Sequence, residues 1–250
     1  MIQLKSPREI EIMARGGKIL AETVRLMESS VRPGMTTMDL DVIAEEFIRS
    51  HEGATPSFKG LYNFPASICS SINHEIVHGI PSKKRVLVEG DLVSIDVGVL
   101  FEGYHTDSAT TVAVGQVNDE SARLLSVTRA ALRAGVAAAR VGNHLGDIGA
   151  AVQGVVEAGG FSVVRDLVGH GIGTGFHEAP HVPNYGKPSR GMRLAAGLTI
   201  AIEPMVNVGR PGIRTMPDKW TVVTIDGQRS AHFEHTVAVT EGGPRVLTAA

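Results

Sequence analysis

The chain has little cysteine, no long apolar run and no excess of one charge. Among its 250 residues Cys69 is the one cysteine, which excludes an internal disulfide and a zinc module built from several cysteines. The 24 Lys and Arg residues nearly balance the 26 Asp and Glu residues, for a formal charge of −2. We therefore expect no direct nucleic-acid site and no membrane surface as a partner. The N-terminus also lacks the apolar core of a signal peptide, so the predicted location is cytoplasmic.

The composition is that of an ordinary globular protein. Hydrophobic residues make up 43% of the chain and charged residues 20%, values typical of a folded soluble domain. We predict a single domain over residues 1–250. Helices are predicted from a capping box at Ser6 and Glu9, over 37–50, over 119–139 and over 145–158. Strands are predicted around residues 93–114, over 161–168, and in the last fifty residues.

Two aspartates lie on a predicted hairpin. Asp96 and Asp107 belong to strands of alternating apolar residues, with Leu100–Gly103 as a predicted four-residue loop. That loop length places the two carboxylates directly opposite, with Cβ atoms about 5 Å apart. Two buried carboxylates so close repel each other and require a cation. The alternative is that both aspartates lie on an exposed face. The apolar residues on either side of each aspartate favour a buried position instead.

The second half of the chain repeats the first. Gly90 precedes Asp96 by six residues, as Gly197 precedes Glu203, and His105-Thr-Asp107 corresponds to His232-Phe-Glu234. We infer an internal duplication with halves of about 1–115 and 116–250. If the halves pack about a pseudo-twofold axis, Asp96, Asp107, Glu203 and Glu234 converge. Four carboxylates in a core must share cations, because unpaired buried charges are too costly.

The ligand types indicate which ions are suitable. Two Asp, two Glu and one imidazole suit two divalent ions such as Mn, Fe, Co or Zn, and not copper or an iron–sulfur cluster. His170, between two glycines, is the predicted nitrogen ligand. Two other histidines, His181 and His235, adjoin the motifs but receive no role. Five are interpreted as surface or hydrogen-bonded residues: His51, His74, His105, His144 and His232.

These residues resemble, in order and local context, the five metal ligands of the dinuclear pita-bread metallopeptidases. The methionine aminopeptidase branch, class I of bacterial type, is the most similar, and the resemblance covers essentially the whole chain. It implies an α+β pita-bread fold: two pseudo-twofold halves with a central curved antiparallel β-sheet flanked by helices. The motifs that carry it are His78-Gly-Ile-Pro, Gly169-His-Gly-Ile-Gly with Phe176-His177-Glu-Ala-Pro, Ile202-Glu-Pro-Met, Trp220-Thr-Val and Phe233-Glu-His-Thr.

The resemblance also implies roles. Asp96 and Asp107 bind one ion, His170 and Glu203 the other, and Asp107 and Glu234 bridge them. Glu203 carries the proton between water and leaving amine, His177 stabilises the oxyanion, and His78 contacts the peptide beside the leaving group. The implied substrate is the N-terminal methionine of a nascent polypeptide at the ribosome exit, followed by a small residue, and the implied state is a monomer. The predicted methionine pocket consists of Phe64, Cys69, Phe176, Trp220 and His78.

Three residues depart from the familiar family pattern. Leu61 and Phe58 stand where tyrosine and cysteine are common, and Lys219 precedes the tryptophan where glycine is usual. These departures leave open the shape of the pocket rim and which second substrate residues it accepts. We include Leu61 and Phe58 among the substrate-binding residues.

Two alternatives remain open. A prolidase or X-Pro aminopeptidase shares the glycine-rich motif and the Glu-Pro strand, but usually has an additional N-terminal domain. A non-catalytic pita-bread module for binding proteins or nucleic acid would have lost ligands, whereas all five are present here.

Overall fold

A computed structural model describes residues 2–249 of the protein. Its α-helices are α1 Pro7–Ser30, α2 Thr37–Arg49, α3 Asp119–Ala138 and α4 Leu145–Ala158. The predicted capping box is confirmed, because Ser6 N donates to the Glu9 carboxylate over 2.7 Å while Ser6 Oγ accepts from Glu9 N. No helix within residues 2–249 has the length and apolar character needed to cross a membrane.

The strands are short except for one long hairpin, formed by β4 Leu92–Phe101 and β5 Tyr104–Ala113. Three strands precede it: β1 Ala54–Pro56, β2 Ile68–Ile72 and β3 Glu75–Val77. Ten follow it: β6 Ser162–Val163, β7 Gly169–Gly171, β8 Glu178–Val182, β9 Thr199–Ile202, β10 Met205–Asn207, β11 Ile213–Thr215, β12 Val222–Thr224, β13 Ser230–His232, β14 His235–Thr240 and β15 Gly243–Val246.

Every strand pairing among the described residues is antiparallel. In one sheet β4 lies beside β1, β2 and β5, and in another the order is β15-β14-β9-β7-β8. These two sheets meet where β5 adjoins the start of β14: Glu234 N donates to Ala109 O over 2.9 Å. We call this contact, between residues 107–111 and 232–236, the seam.

The hairpin register differs from the prediction. Phe101 pairs with Tyr104, so the turn contains only Glu102 and Gly103, with φ of 47° and 84°. Positive φ at both central residues is the signature of a type I′ turn, whose twist matches that of the strands. Asp96 consequently faces Ala109, while Asp107 faces Gly98. The predicted direct opposition of the two aspartates is wrong, and they are diagonal neighbours on one face of the hairpin.

The strand predicted over 161–168 is much shorter in the structure. Only Ser162 and Val163 pair with β10. The next residues leave the ladder after Val164 N donates to Met205 O, and Arg165 and Asp166 are exposed. A longer strand would need a partner for its backbone groups, and β10 begins only at Met205, opposite Val164.

Apolar packing surrounds the sheets on both sides. One core cluster joins α1 and α2 to the hairpin through residues such as Leu20, Leu40 and Ile95. A second joins α3 and α4 to the later strands, with Leu124 and Ile148 fully buried. A third includes Phe58, Phe64 and Phe176, which line the site described next.

Candidate metal centre

The five predicted ligands line one cavity. Asp96 comes from β4, Asp107 from β5 and His170 from β7, while Glu203 follows β9 and Glu234 lies between β13 and β14. Asp96 is 8% exposed and Glu234 only 1%. Strands from distant parts of the chain therefore place four carboxylates and an imidazole together, away from bulk water.

Hydrogen bonds across the seam hold these carboxylates in place. Asp107 N donates to Thr236 Oγ1, and Thr236 Oγ1 donates back to Asp107 O, both over 2.8 Å. Ser108 Oγ donates to Glu234 O over 2.9 Å. Each of these bonds joins residues more than a hundred positions apart, so the ligand backbone is fixed by contacts between the two parts of the chain.

The carboxylates are electrostatically unfavourable without a cation. Burial, followed by repulsion from neighbouring carboxylates, raises the pKa values of Asp96, Glu203 and Glu234 well above their ordinary range. Burial likewise raises the pKa of Asp107 to about 8. Buried oxygens of Asp96, Asp107 and Glu234 have no hydrogen-bond partner. Such a cluster requires either shared protons or bound cations.

The geometry fits a metal ion. Asp107, His170 and Glu234 each offer a ligand atom within 4.8 Å of the others. His170 Nε2 lies 3.7 Å from Asp107 Oδ2 and 3.7 Å from Glu203 Oε1. Its Nδ1 lies 2.8 Å from Gly171 O, and donation there leaves a lone pair on Nε2, as in metal-bound histidines. Oxygen-rich ligands with one imidazole suit a divalent ion.

His232 also lies in this centre, so the surface position that its interpretation allowed is wrong. Its side chain is 1% exposed, and Nε2 lies 3.7 Å from Glu203 Oε2 and 3.9 Å from Glu234 Oε2. Neither ring nitrogen has a hydrogen-bond partner. The signal in the sequence was its spacing, because residues two apart on an extended segment face the same side, here that of Glu234.

Two of the other histidines fit the interpretation of hydrogen-bonded residues. His51 Nδ1 lies 2.9 Å from Phe47 O. His105 Nδ1 lies 2.9 Å from Ser57 Oγ, and its ring packs on Phe176 with centroids 5.6 Å apart. These contacts place His105 behind the apolar wall of the cavity.

That apolar wall contains every predicted pocket residue. Phe58 and Phe176 form an edge-to-face ring pair with centroids 5.3 Å apart. Phe64 and Trp220 form another, with centroids 5.0 Å apart. The remaining members, Leu61, Cys69 and His78, line the same cavity of about 150 Å³. Burial and the nearby carboxylates raise the pKa of the Cys69 thiol well above its usual value, so it stays neutral.

Gly98 is required for this packing. A Cβ at this position would lie 2.8 Å from Ser57 Cβ and 2.9 Å from Phe176 Cε2. The absence of a side chain therefore allows the Phe176 ring to approach the hairpin strand that carries Asp96.

His177 and His78 lie beside the carboxylates. The His177 ring is 4.5 Å from that of His170, and its Nδ1 is 3.4 Å from Tyr62 Oη. Burial is the main cause that lowers the pKa of His177, and also that of His78, to about 4. Both imidazoles are therefore neutral at pH 7 and can donate one N–H each.

Tyr62 is a residue of this site that the sequence did not single out. Its ring stacks on His177 with an interplanar angle of 15°, although Tyr62 is 64% exposed. The loop over residues 53–73 is rich in apolar residues, which is typical of a loop that lines a site. The sequence pattern did not indicate which residue would project toward His177, since that depends on the positive φ of 50° at Tyr62.

Two ion-pair networks hold the loops of the site. Lys5 Nζ lies 2.5 Å from Glu178 Oε2 in a largely buried pair, and Glu178 Oε1 accepts from Gly175 N. Glu45 on α2 pairs with Lys59 over 2.7 Å and accepts from Ser67 Oγ. The first network fixes the loop with Phe176 and His177, and the second fixes the loop with Phe58, Leu61 and Phe64.

A second cavity continues from the carboxylates to the surface. It has a volume of about 470 Å³ and shares Asp96, His170 and Glu203 with the apolar pocket. Its lining includes the exposed residues Asp166 and His181. A substrate can thus place an apolar side chain in one cavity and the rest of a chain in the other.

A comparison with known families identifies this arrangement. Residues 11–241 match the model of metallopeptidase family M24. The chain belongs to this family. Methionine aminopeptidase from Clostridium perfringens is 54% identical over 248 residues, 99% of each chain. Methionine aminopeptidase 1 from Bacillus subtilis is 50% identical, again over 99% of each chain.

Solved structures of M24 proteins support the same relationship. The crystal structure of methionine aminopeptidase from Thermotoga maritima superposes with a TM-score of 0.98 at 42% identity and covers all of both chains. Prolidase from Pyrococcus furiosus has a TM-score of 0.78 at 23% identity, and the match covers 65% of that chain. The predicted α+β pita-bread fold is confirmed, and the prolidase alternative is similar in fold alone.

Proposed function

We propose that the protein removes the N-terminal methionine from peptides and nascent proteins whose next residue is small. The observation that carries the proposal is the set of four carboxylates and one imidazole that lines an apolar pocket. The names of the similar M24 proteins agree with this activity. The site residues and their roles below are part of the proposal.

The metal centre would hold two divalent ions. Asp96, Asp107, His170, Glu203 and Glu234 would hold them. When bound, such ions polarise a carbonyl and make water a nucleophile at neutral pH. Mn, Fe, Co and Zn all suit the ligands, and the orphaned carboxylate oxygens favour loading with any of them.

Glu203 carries the proton. Its carboxylate lies at the junction of the two cavities, where the scissile bond of a peptide spanning both would lie. It accepts a proton from the attacking water and delivers it to the leaving amine, as a general base and then a general acid. The Glu203 side chain is only 13% exposed, so few water molecules can reach this carboxylate.

The two neutral histidines orient the peptide. His177 donates a hydrogen bond to the oxygen of the scissile carbonyl, where negative charge develops in the transition state. His78, which packs edge-on against Trp220, contacts the peptide beside the leaving group. Because both imidazoles are neutral, each provides one donor without attracting a substrate carboxylate.

The apolar pocket sets the preference for the first residue. Phe58, Leu61, Phe64, Phe176 and Trp220 leave space for an unbranched, polarizable thioether chain. The wall around His78 restricts the second residue to a small side chain. We further propose a monomer that acts in the cytoplasm on nascent chains at the ribosome exit, since that is where initiator methionines first become accessible.

A peptide panel tests the proposal. We expect a higher kcat/KM for Met-Ala-Ser than for Leu-Ala-Ser, by a ratio that corresponds to about 1–3 kcal/mol. We expect very low rates for Met-Lys-Ser and Ala-Pro-Ala. Preference for Ala-Pro-Ala would assign the protein to the proline-specific branch. Equal rates for Met-Ala-Ser and Met-Lys-Ser would show that Leu61, Phe58 and Lys219 open the rim.

Removal of the metal tests the centre itself. We expect a chelator to abolish cleavage of Met-Ala-Ser and stoichiometric Mn²⁺, Co²⁺ or Fe²⁺ to restore it, because four buried carboxylates depend on the ions. Metal content is measured by elemental analysis of the same samples. Full turnover by demonstrably metal-free protein contradicts the metal mechanism.

A further inference from the structure

His232 is the buried polar side chain for which the proposed roles give no account. Both of its ring nitrogens lack a hydrogen-bond partner, and its side chain is 1% exposed. Burying an imidazole with both nitrogens unpaired costs free energy, so native proteins rarely leave one so. The polar atoms that face the ring are Glu203 Oε2 at 3.7 Å and Glu234 Oε2 at 3.9 Å from Nε2.

The two histidines of the centre differ in one decisive contact. His170 Nδ1 lies 2.8 Å from Gly171 O, which satisfies its N–H and directs the Nε2 lone pair to the carboxylates. His232 Nδ1 has no acceptor. If His232 Nε2 ligated a metal, Nδ1–H would remain buried and unpaired, whereas metal-bound histidines almost always donate that N–H. The tautomer that carries its proton on Nε2 instead directs an N–H toward the carboxylate oxygens of Glu203 and Glu234.

We propose that His232 is a positioning residue that donates Nε2–H to Glu203 Oε2, an inference that rests on the proposed function of Glu203. The two oxygens of Glu203 then have separate neighbours: Oε1 lies 3.7 Å from His170 Nε2, and Oε2 lies 3.7 Å from His232 Nε2. A change of about 0.8 Å in the second distance gives a normal N–H···O hydrogen bond.

This hydrogen bond assigns the Glu203 oxygens to different tasks. Oε1, on the side of His170, is available to the metal, while Oε2 is held away from it and oriented for proton exchange. Glu203 therefore binds through one oxygen and does not close over the position that the attacking water needs. His232 also offsets part of the repulsion between Glu203 and Glu234, since it lies between an oxygen of each.

Two substitutions of His232 distinguish the effect of its N–H donor from the effect of its side-chain volume. In His232→Gln the amide nitrogen reaches about as far as Nε2 and retains an N–H, whereas His232→Leu retains volume without a donor. We expect His232→Leu to lower kcat on Met-Ala-Ser about 10–100-fold with little change in KM. We expect His232→Gln to stay within a few-fold of the parent. His51→Leu, far from the cavity, is the matched control, and the thermal midpoint of each metal-loaded variant checks folding.

X-ray absorption of the Co²⁺-loaded parent counts imidazole ligands without reference to activity. We expect one imidazole, that of His170, per two Co²⁺ ions, and the same count in His232→Leu. Two imidazoles in the parent and one in His232→Leu would overturn the proposal and make His232 a ligand. Equal losses of kcat in the Leu and Gln variants, or no loss in the Leu variant, would overturn it as well. If the parent binds Co²⁺ but cleaves no methionyl peptide, the proposed function fails while the imidazole count still tests His232.

Discussion

The two sides of the site are built in opposite ways. The metal side consists of buried strand residues whose backbone is held across the seam, as with Asp107 and Thr236. The apolar wall is made largely by loops in unusual backbone conformations, with φ of 60° at His78 and 67° at Lys219. One side is fixed by pairing between distant segments, and the other by local turns and ion pairs.

This difference indicates where the sequence can change. All three departures from the family pattern, at Phe58, Leu61 and Lys219, lie on the loop side, and none lies on the metal side. Lys219 adopts a backbone conformation that glycine takes without strain, so the loop keeps its path at some cost in free energy. Changes on the metal side should therefore abolish chemistry, and changes on the loop side should adjust affinity and stability.

The largest expected effect is on the metal side. Glu203→Gln removes the proposed metal ligand and proton carrier, so we expect kcat on Met-Ala-Ser to fall by at least about 10²–10⁴-fold. Steady-state kinetics with saturating Mn²⁺ measures this. Glu46→Gln, an exposed glutamate on α2, is the control. A Glu203→Gln variant within a few-fold of the parent kcat would show that another group moves the proton.

The second effect lies where the two sides meet. His177→Ala removes the donor to the developing oxyanion, and we expect kcat to fall about 10²–10³-fold with KM nearly unchanged. Tyr62→Phe, which keeps the stacked ring but loses the hydroxyl 3.4 Å from Nδ1, is the matched comparison and should have a much smaller effect. An increase in KM alone for His177→Ala would make it a binding residue.

The smallest effect is expected on the loop side. A hydrogen bond from Lys59 is the largest cause that lowers the pKa of Glu45 to about 2. A depressed carboxyl pKa stabilises the folded state above the unfolded pKa, and the contribution is lost as pH falls from about 4.5 to about 2. We expect Glu45→Gln to lower the free energy of unfolding by up to about 1 kcal/mol at pH 7 and to raise KM a few-fold.

Urea unfolding at pH 7 and pH 3 measures this contribution, with Glu46→Gln on the same helix as the control. The difference between the Glu45→Gln variant and the parent should shrink at pH 3. A constant difference at both pH values would show that Glu45 acts through packing and not through its charge.

Much of the centre was predictable because it depends on repetition and spacing. The repeat of glycine and carboxylate that relates Asp96 to Glu203 predicted their convergence, and the glycines around His170 indicated a close approach. The hairpin register was not predictable from alternation, because it depended on whether Glu102 accepts a positive φ. His232 was assigned no role in the site, because its spacing of two residues from Glu234 indicates a shared face only once that segment is known to be extended. Tyr62 was overlooked for a similar reason, since one backbone angle determines its direction.

The seam also determines when during synthesis the centre can exist. Asp107 and Thr236 are 129 positions apart, so the contact closes only after nearly the whole chain is available. Contacts of such long range form slowly, because closing a long loop costs entropy before the contacts that offset this cost have formed. An emerging chain that ends before Glu234 lacks both a ligand and the bonds that hold Asp107. Metal binding is therefore a late event in folding, and the ions stabilise a chain that has already closed.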